Sequence, residues 1–198
     1  MTGGLASGKK TACRHLQNLG ADYLDADLIA KEFLDDELVI AQLTEQYGDD
    51  ILDASGALDR KRLAAAAFVG PESIEGLNQT IWPLVKERLA DLLLGQSCTQ
   101  TSENSLTVVE VALLAEASDF CDLADYIIAI SAPTALRIER ALARGMDRAD
   151  IENRMALQAT DTERAAICDL VIVNDSNLEA LYAQLDYWYD SFVNGRLL

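Results

Sequence analysis

Residues 3–10 read Gly3-Gly4-Leu5-Ala6-Ser7-Gly8-Lys9-Lys10, and no other stretch limits the fold of this 198-residue chain so sharply. Glycines allow a tight turn in which consecutive N–H groups point to one side. The helical pattern of residues 9–19, closed by Gly20, begins directly from that turn, so the positive end of a helix faces the same concavity. Lys9 adds a mobile cation. G-x-x-x-x-G-K is thus a cradle for phosphates, in which the lysine reaches the β- and γ-phosphates of a nucleotide. Such a loop normally hangs from the end of a buried parallel strand. Only Met1 precedes Thr2, so the expectation is that the first strand is missing or that something else fills its slot in the sheet.

The residue after the lysine usually carries a hydroxyl that coordinates Mg²⁺, and here it is Lys10. Thr11 comes one residue later, which turns its side chain by about 100° around the helix. Adenylate kinases have Gly-Lys-Gly-Thr at this point and manage without a hydroxyl directly after the lysine. Lys10 is therefore compatible with nucleotide binding, and it sets a second cation beside the metal position.

The rest of the chain alternates strand and helix. Residues 21–25 form a short buried strand with an acidic end, and Asp27 can cap a helix running to about Leu34. Helical patterns follow at 37–47, 59–68 and 71–94, the last interrupted near Pro83, and 95–105 is loop-like. The β-branched runs at 106–111, 126–130 and 170–174 suit parallel strands buried on both faces. Helices are expected at 134–143 and 147–158. The final helix, 177–193, carries Leu178, Leu181, Tyr182, Leu185, Trp188, Tyr189 and Phe192 as a core stripe. A three-layer α/β fold with a parallel sheet follows. It is expected as a single domain, 1–198, with a helical region at about 30–95 and a lid region at about 134–164.

Charge sorts the possible partners. A formal net charge of −17 argues against nucleic acid and anionic membranes, which both need a basic surface. The cations that exist are grouped: Lys9, Lys10 and Arg14 early, then Arg137, Arg140, Arg144, Arg148, Arg154 and Arg164 late. Two basic islands on an acidic chain suit a compact polyanion, although part of the arginine set serves as solvated helix face. Cys13, Cys98, Cys121 and Cys168 are scattered and His15 is the single histidine, so reduced structural thiols are expected rather than a zinc site. With neither a spanning segment nor a signal-peptide pattern, a cytoplasmic address is expected.

Further motifs resemble the dephospho-coenzyme A kinase family. That family's loop reads Thr-Gly-Gly-Ile-Gly-Ser-Gly-Lys-Ser, against Thr2-Gly3-Gly4-Leu5-Ala6-Ser7-Gly8-Lys9-Lys10 here. Its Asp-Ala-Asp segment matches Asp25-Ala26-Asp27, followed by Ile29-Ala30, and its Asp-Arg-x-x-Leu matches Asp59-Arg60-Lys61-Arg62-Leu63, with Phe68 at the right spacing. Pro-Leu-Leu-Phe-Glu corresponds to Ala112-Leu113-Leu114-Ala115-Glu116. The lid arginines and Arg-x-x-x-Gln correspond to Arg140, Arg144, Arg154 and Gln158, and the closing strand to Val171-Ile172-Val173-Asn174. Departures are Lys10, Trp82 before Pro83 in place of His, Ala112, Ala115, and Glu110 where aspartate is usual.

The resemblance implies a P-loop kinase fold with small helical acceptor-binding and lid segments. It also implies ATP-dependent phosphorylation of the ribose 3′-hydroxyl of dephospho-CoA, with ATP and Mg²⁺ as cofactors. Lys9, Asp25, Asp27 and Arg140 are the expected catalytic residues. Either aspartate could serve as base, with Asp27 slightly favoured; as a helix cap it would have a purely structural use. Gly4, Ala6, Ser7, Gly8, Lys9, Lys10, Thr11, Arg144 and Asn174 are expected around the nucleotide, with Asn174 reading the adenine edge. Glu110 and Glu116 could position a metal-bound water or the acceptor, and Arg137 is a further lid candidate. The alternatives are a nucleoside monophosphate kinase with another acceptor and a silent nucleotide-binding homologue.

Overall fold

The computed structural model describes residues 1–99, 106–115 and 117–195. They divide into two compact units: Met1–Asp25 with Gln96–Leu198, and Ala26–Gly95.

The first unit holds a parallel sheet. Strand β1 (Asp22–Asp25) pairs with β2 (Thr107–Glu110), and β3 (Ile128–Ser131) pairs with β4 (Leu170–Val173), both in parallel register. The slot between the two pairs is filled by Met1 and Thr2. Thr2 N donates to Ile128 O at 2.8 Å and Ile130 N donates to Thr2 O at 2.9 Å. On the other side Val111 N donates to Met1 O at 3.0 Å, and the Met1 amino group donates to Val109 O at 2.5 Å. The order is therefore β1, β2, Met1–Thr2, β3, β4. These four bonds seat Met1 and Thr2 in parallel fashion between β2 and β3.

Helices α1 (Lys9–Asn18) and α9 (Leu178–Val193) cover one face of this sheet. Ala12, Cys13 and Leu16 of α1 meet Leu181, Leu185 and Trp188 of α9 over Val108, Ile128, Ile130 and Ile172. The spacing within each helix is three or four residues and within each strand two, the periods that bring apolar side chains to one face. Burial raises the Cys13 thiol to about 12, so this cysteine is a neutral packing group. Asn177 caps α9 by accepting from Ala180 N at 3.0 Å. His15 stacks on Tyr182, with ring centroids 4.0 Å apart, and lies 2.6 Å from Asp186, which ties the two helices along their exposed side.

Three shorter helices, α6 (Thr134–Ala143), α7 (Arg148–Ala156) and α8 (Asp161–Ala165), lie between β3 and β4 in sequence. Ala141 and Ile151 pack with Ala6 in a small apolar cluster beneath the glycine-rich loop. Helix α8 is not evident from periodicity, being only five residues long; a capping box, Thr160 with Glu163, starts it.

The second unit is helical: α2 (Ala26–Phe33), α3 (Glu37–Tyr47), α4 (Arg60–Ala67) and most of α5 (Pro71–Thr99). Local chemistry explains its Asp-Arg-x-x-Leu pattern. Asp59 caps α4 through Lys61 N and Arg62 N, Arg60 binds the Asp35 carboxylate at 2.9 Å, and Leu63 is buried. Helix α5 is continuous through Pro83 rather than interrupted there. The proline removes one backbone bond, while buried Ile81, Val85 and Leu89 hold the same face on both sides of it. The helix also extends to Thr99, into the segment expected to be loop; residues 100–105 lie outside the described residues.

Leu185 and Leu178 share α9, but Leu185 is fully buried and Leu178 is 52% exposed. Leu185→Ala is expected to cost about 2–5 kcal/mol in urea unfolding. Leu178→Ala is expected to stay within about 0.5 kcal/mol.

Candidate active site

The glycine-rich loop lies at the C-terminal edge of the parallel sheet, between the Met1–Thr2 segment and the start of α1. Gly8 is the N-cap of α1, no side chain caps that end, and no acidic residue stands in its first turn. With no side-chain cap at this end, the positive dipole of the helix faces outward and suits an anion. Gly8 has φ +108°, and a Cβ there would run into the Asn174 amide, so both conformation and space require glycine. Ala6 also has a positive φ, 57°, in a position where the resembled loop carries glycine.

Three side chains fasten the loop from elsewhere in the unit. Asn174, just after β4, donates from Nδ2 to Ser7 O at 2.7 Å. Gln158, after α7, accepts from Leu5 N at 2.8 Å. Arg137 of α6 lies against Gly4, where a Cβ would meet its guanidinium. Lys9 Nζ folds back over the loop to Gly3 O at 2.6 Å and Gly4 O at 3.3 Å. Ser7 is buried, and its Oγ has no protein partner among the described residues. A buried hydroxyl without a partner, beside a cluster of amides and an ammonium, is the chemistry of a site that completes its hydrogen bonds with phosphate.

A second group of side chains stands at the ends of β1 and β2. Asp25 and Glu110 are register partners, and Tyr23 spans them, 2.6 Å from Glu110 Oε2 and 3.2 Å from Asp25 Oδ2. Burial first, then the bond to Glu110, pushes the Tyr23 phenol well above its usual range, so it remains a proton donor. One phenolic proton cannot serve both carboxylates at once, and the shorter contact assigns it to Glu110. Lys10 Nζ lies 3.5 Å from Asp25 Oδ2 and is half exposed, whereas the Asp25 side chain is nearly buried.

Of the expected residues, the loop, Lys9, Lys10, Asp25, Arg140 and Asn174 come together within the first unit. Arg140 is bound to Asn174, its Nη1 to the backbone O and its Nη2 to Oδ1, both at 3.2 Å. It therefore orients the asparagine that holds the loop. Arg144 is the exposed C-cap of α6, and Thr11 is half-buried on α1. Asp27 is exposed in the first turn of α2, inside the helix rather than at a cap position, and belongs to the second unit. Glu116 lies outside the described residues.

Two participants carry no motif signal: Tyr23, and Asp161, whose Oδ1 lies 3.2 Å from Arg137 Nη1. Tyr23 could have been found from its period-two spacing to Asp25 on one strand, and Asp161 from its three-residue spacing to Arg164 on one helix.

The profile of the dephospho-CoA kinase family matches residues 1–180. The chain belongs to the dephospho-CoA kinase family. A dephospho-CoA kinase of Chlorobaculum tepidum is 36% identical over 198 residues, covering 98% of this chain and 93% of that one. That of Thermobifida fusca is 33% identical over 187 residues, with 93% and 90% covered. Among solved structures, TT1252 from Thermus thermophilus superposes with a TM-score of 0.76 at 26% identity, covering 96% and 94% of the two chains. The dephospho-CoA kinase of Campylobacter jejuni superposes at 0.72 and 21% identity, covering 99% and 96%, a likeness of fold. The three-layer P-loop kinase fold expected from the sequence is thus the fold of this kinase.

Gly8→Ala forces an alanine into the left-handed region and its methyl into Asn174. ATP affinity measured calorimetrically is expected to fall at least about tenfold, with a stability loss on the order of 1–3 kcal/mol. Full ATP affinity in this variant would dismiss the loop as the nucleotide site.

Proposed function

We propose that this kinase transfers the γ-phosphoryl group of ATP to the ribose 3′-hydroxyl of dephospho-CoA, giving CoA and ADP. Membership of the family across nearly the whole chain supports the acceptor. The observation that carries the donor is the loop itself: a helix N-terminus at Gly8 with no side-chain cap, a buried Ser7 hydroxyl without a partner among the described residues, and Lys9 folded over Gly3 and Gly4. In this reading the helical region of about 30–95 binds the acceptor and the region of about 134–164 acts as the lid.

The chemistry needs an oriented hydroxyl, a phosphate cradle and cations where charge develops. The O3′ lone pair forms a bond to Pγ as the bond from Pγ to the β,γ-bridging oxygen breaks, and ADP leaves. The hydroxyl proton passes to a carboxylate, for which Asp27 is the candidate. It stands exposed in the first turn of α2, which starts immediately after β1. Asp25, nearly buried and paired with Lys10, is better suited to hold charge in place. Lys9 balances the β- and γ-phosphates, and Arg140 acts by holding Asn174 against the loop. Arg144, exposed at the end of α6, is free to approach the nucleotide from solvent.

Kinases of this family use ATP and, in general, Mg²⁺. Asp25 and Glu110 supply the hard oxygens that Mg²⁺ takes from one or two carboxylates, alongside phosphates and water. They would hold the ion, whose charge offsets that of the phosphates. Lys10 competes for Asp25.

ADP release with ATP, Mg²⁺ and dephospho-CoA tests the reading. Lys9→Met is expected to lower kcat/KM by about 10³-fold or more. Asp27→Asn is expected to lower kcat by about 10²–10⁴-fold with KM for ATP little changed. ATP binding without any turnover of dephospho-CoA would refute the assignment.

Lys10→Ser removes the competing ammonium and restores a hydroxyl. The Mg²⁺ concentration giving half-maximal rate is expected to fall several-fold, and an unchanged requirement would show that Lys10 does not act at the metal.

A further inference from the structure

The lid sequence offers Arg137, Arg140 and Arg144 at intervals that share no single role in the fold. Arg144 is exposed, and Arg140 is engaged by Asn174. Arg137 differs from both. It is 8% exposed, although a guanidinium is costly to bury. Its contact is with the loop: a Cβ at Gly4 would run into its Nη1 and Cζ, so the guanidinium lies directly on the backbone there. Gly4 is glycine because Arg137 occupies the space a side chain would need.

Among the described residues, the charge around Arg137 is only partly balanced by protein. Its Nη1 lies 3.2 Å from Asp161 Oδ1, and that same oxygen lies 2.8 Å from Arg164 Nη1. Arg164 is 3% exposed and is anchored through Nη2 to Ala159 O at 2.6 Å. Two guanidinium groups share one carboxylate, which leaves a surplus positive charge beside the loop. The Nε atoms of both arginines are buried, with no hydrogen-bond partner among the described residues. A buried cation with spare donors is a stable arrangement when an anion completes it.

The position of that anion follows from Lys9. In a loop of this kind the lysine serves the β- and γ-phosphates, and here its Nζ lies 3.3 Å from Gly4 O. Lys9 and Arg137 thus converge on the same residue of the loop. We infer that Arg137, held on Gly4 by Asp161, is the fixed cation that receives the γ-phosphate of ATP. The inference rests on the ATP-dependent kinase reading and deepens it by naming a residue that selects the triphosphate over the diphosphate. A planar guanidinium with several N–H groups suits a terminal phosphate, which presents three oxygens, better than a bridging one. Arg164 is the support: it holds Asp161 and takes up part of its charge, which leaves Arg137 less than fully neutralised.

Calorimetric titration of the intact chain with ATP and with ADP provides the test. Arg137→Gln is expected to weaken ATP at least about tenfold while changing ADP by less than about threefold. Arg137→Lys is expected to recover part of the loss for ATP, because it keeps the charge but not the fork. A purely structural arginine would give a lower melting temperature with both affinities unchanged, or an equal loss for both nucleotides, and either result overturns the inference. Should Arg137→Gln fail to fold, Asp161→Asn loosens the same guanidinium: a selective loss for ATP supports the inference, and unchanged discrimination overturns it. ATP-selective loss in a protein that does not turn over dephospho-CoA would remove the proposed acceptor and leave Arg137 in place. Failure of the unaltered protein to bind either nucleotide would remove both.

Discussion

The contact between Asn174 and the glycine-rich loop is the constraint on which the rest of the site depends. Asn174 follows the last strand, so its amide is placed by the register of β4 on β3. The loop it grips leaves the Met1–Thr2 segment, which is itself held between β2 and β3. Gly8 has no side chain because Asn174 occupies that space, and Arg140 is drawn to the asparagine rather than to solvent. Sheet, loop and α6 thus meet at one amide. A bond of this kind is worth little by itself; its value is that it fixes the concavity before a ligand arrives, so that little ordering remains to be done on binding.

Cations and carboxylates are distributed around the loop in two distinct groups. On the side of β1 and β2, Asp25, Glu110 and Tyr23 form a carboxylate pair bridged by a phenol, with Lys10 alongside. On the side of α6 and α8, Arg137 and Arg164 share Asp161. The first group is rich in negative charge and suits metal or acceptor chemistry; the second is rich in positive charge and suits phosphate. Lys9 lies between them in function, folded over Gly3 and Gly4. This division is also how a chain of net charge −17 can bind a polyanion: few cations are needed when low-dielectric surroundings strengthen each of them.

Much of this was legible in residue order alone. The loop, the helix behind it, the four strand runs and the alternation of strand and helix follow from glycine placement and apolar periods, which are local properties. The family resemblance follows from motifs that are themselves local, as Asp59 shows: it caps α4 through amides two and three residues away. The continuity of α5 through Pro83 was not legible, since a proline's local cost is set against buried contacts at Ile81, Val85 and Leu89 that only packing supplies. The seating of Met1 and Thr2 between β2 and β3 was not legible either, because no periodicity exists in two residues.

By itself, then, the sequence determined that this chain carries a phosphate-cradling loop on a parallel α/β sheet, and which residues carry charge. Tertiary structure decided which of those charges meet. Arg137, Arg140 and Arg144 look alike in a helical repeat, yet one is buried on Gly4, one is tied to Asn174 and one is exposed. Tyr23 acquires its place between Asp25 and Glu110 only through the pairing of β1 with β2, strands separated by about eighty residues. The reason is physical: periodicity reports which face of an element is apolar, whereas the partner of a polar group depends on what another element brings within about 3 Å.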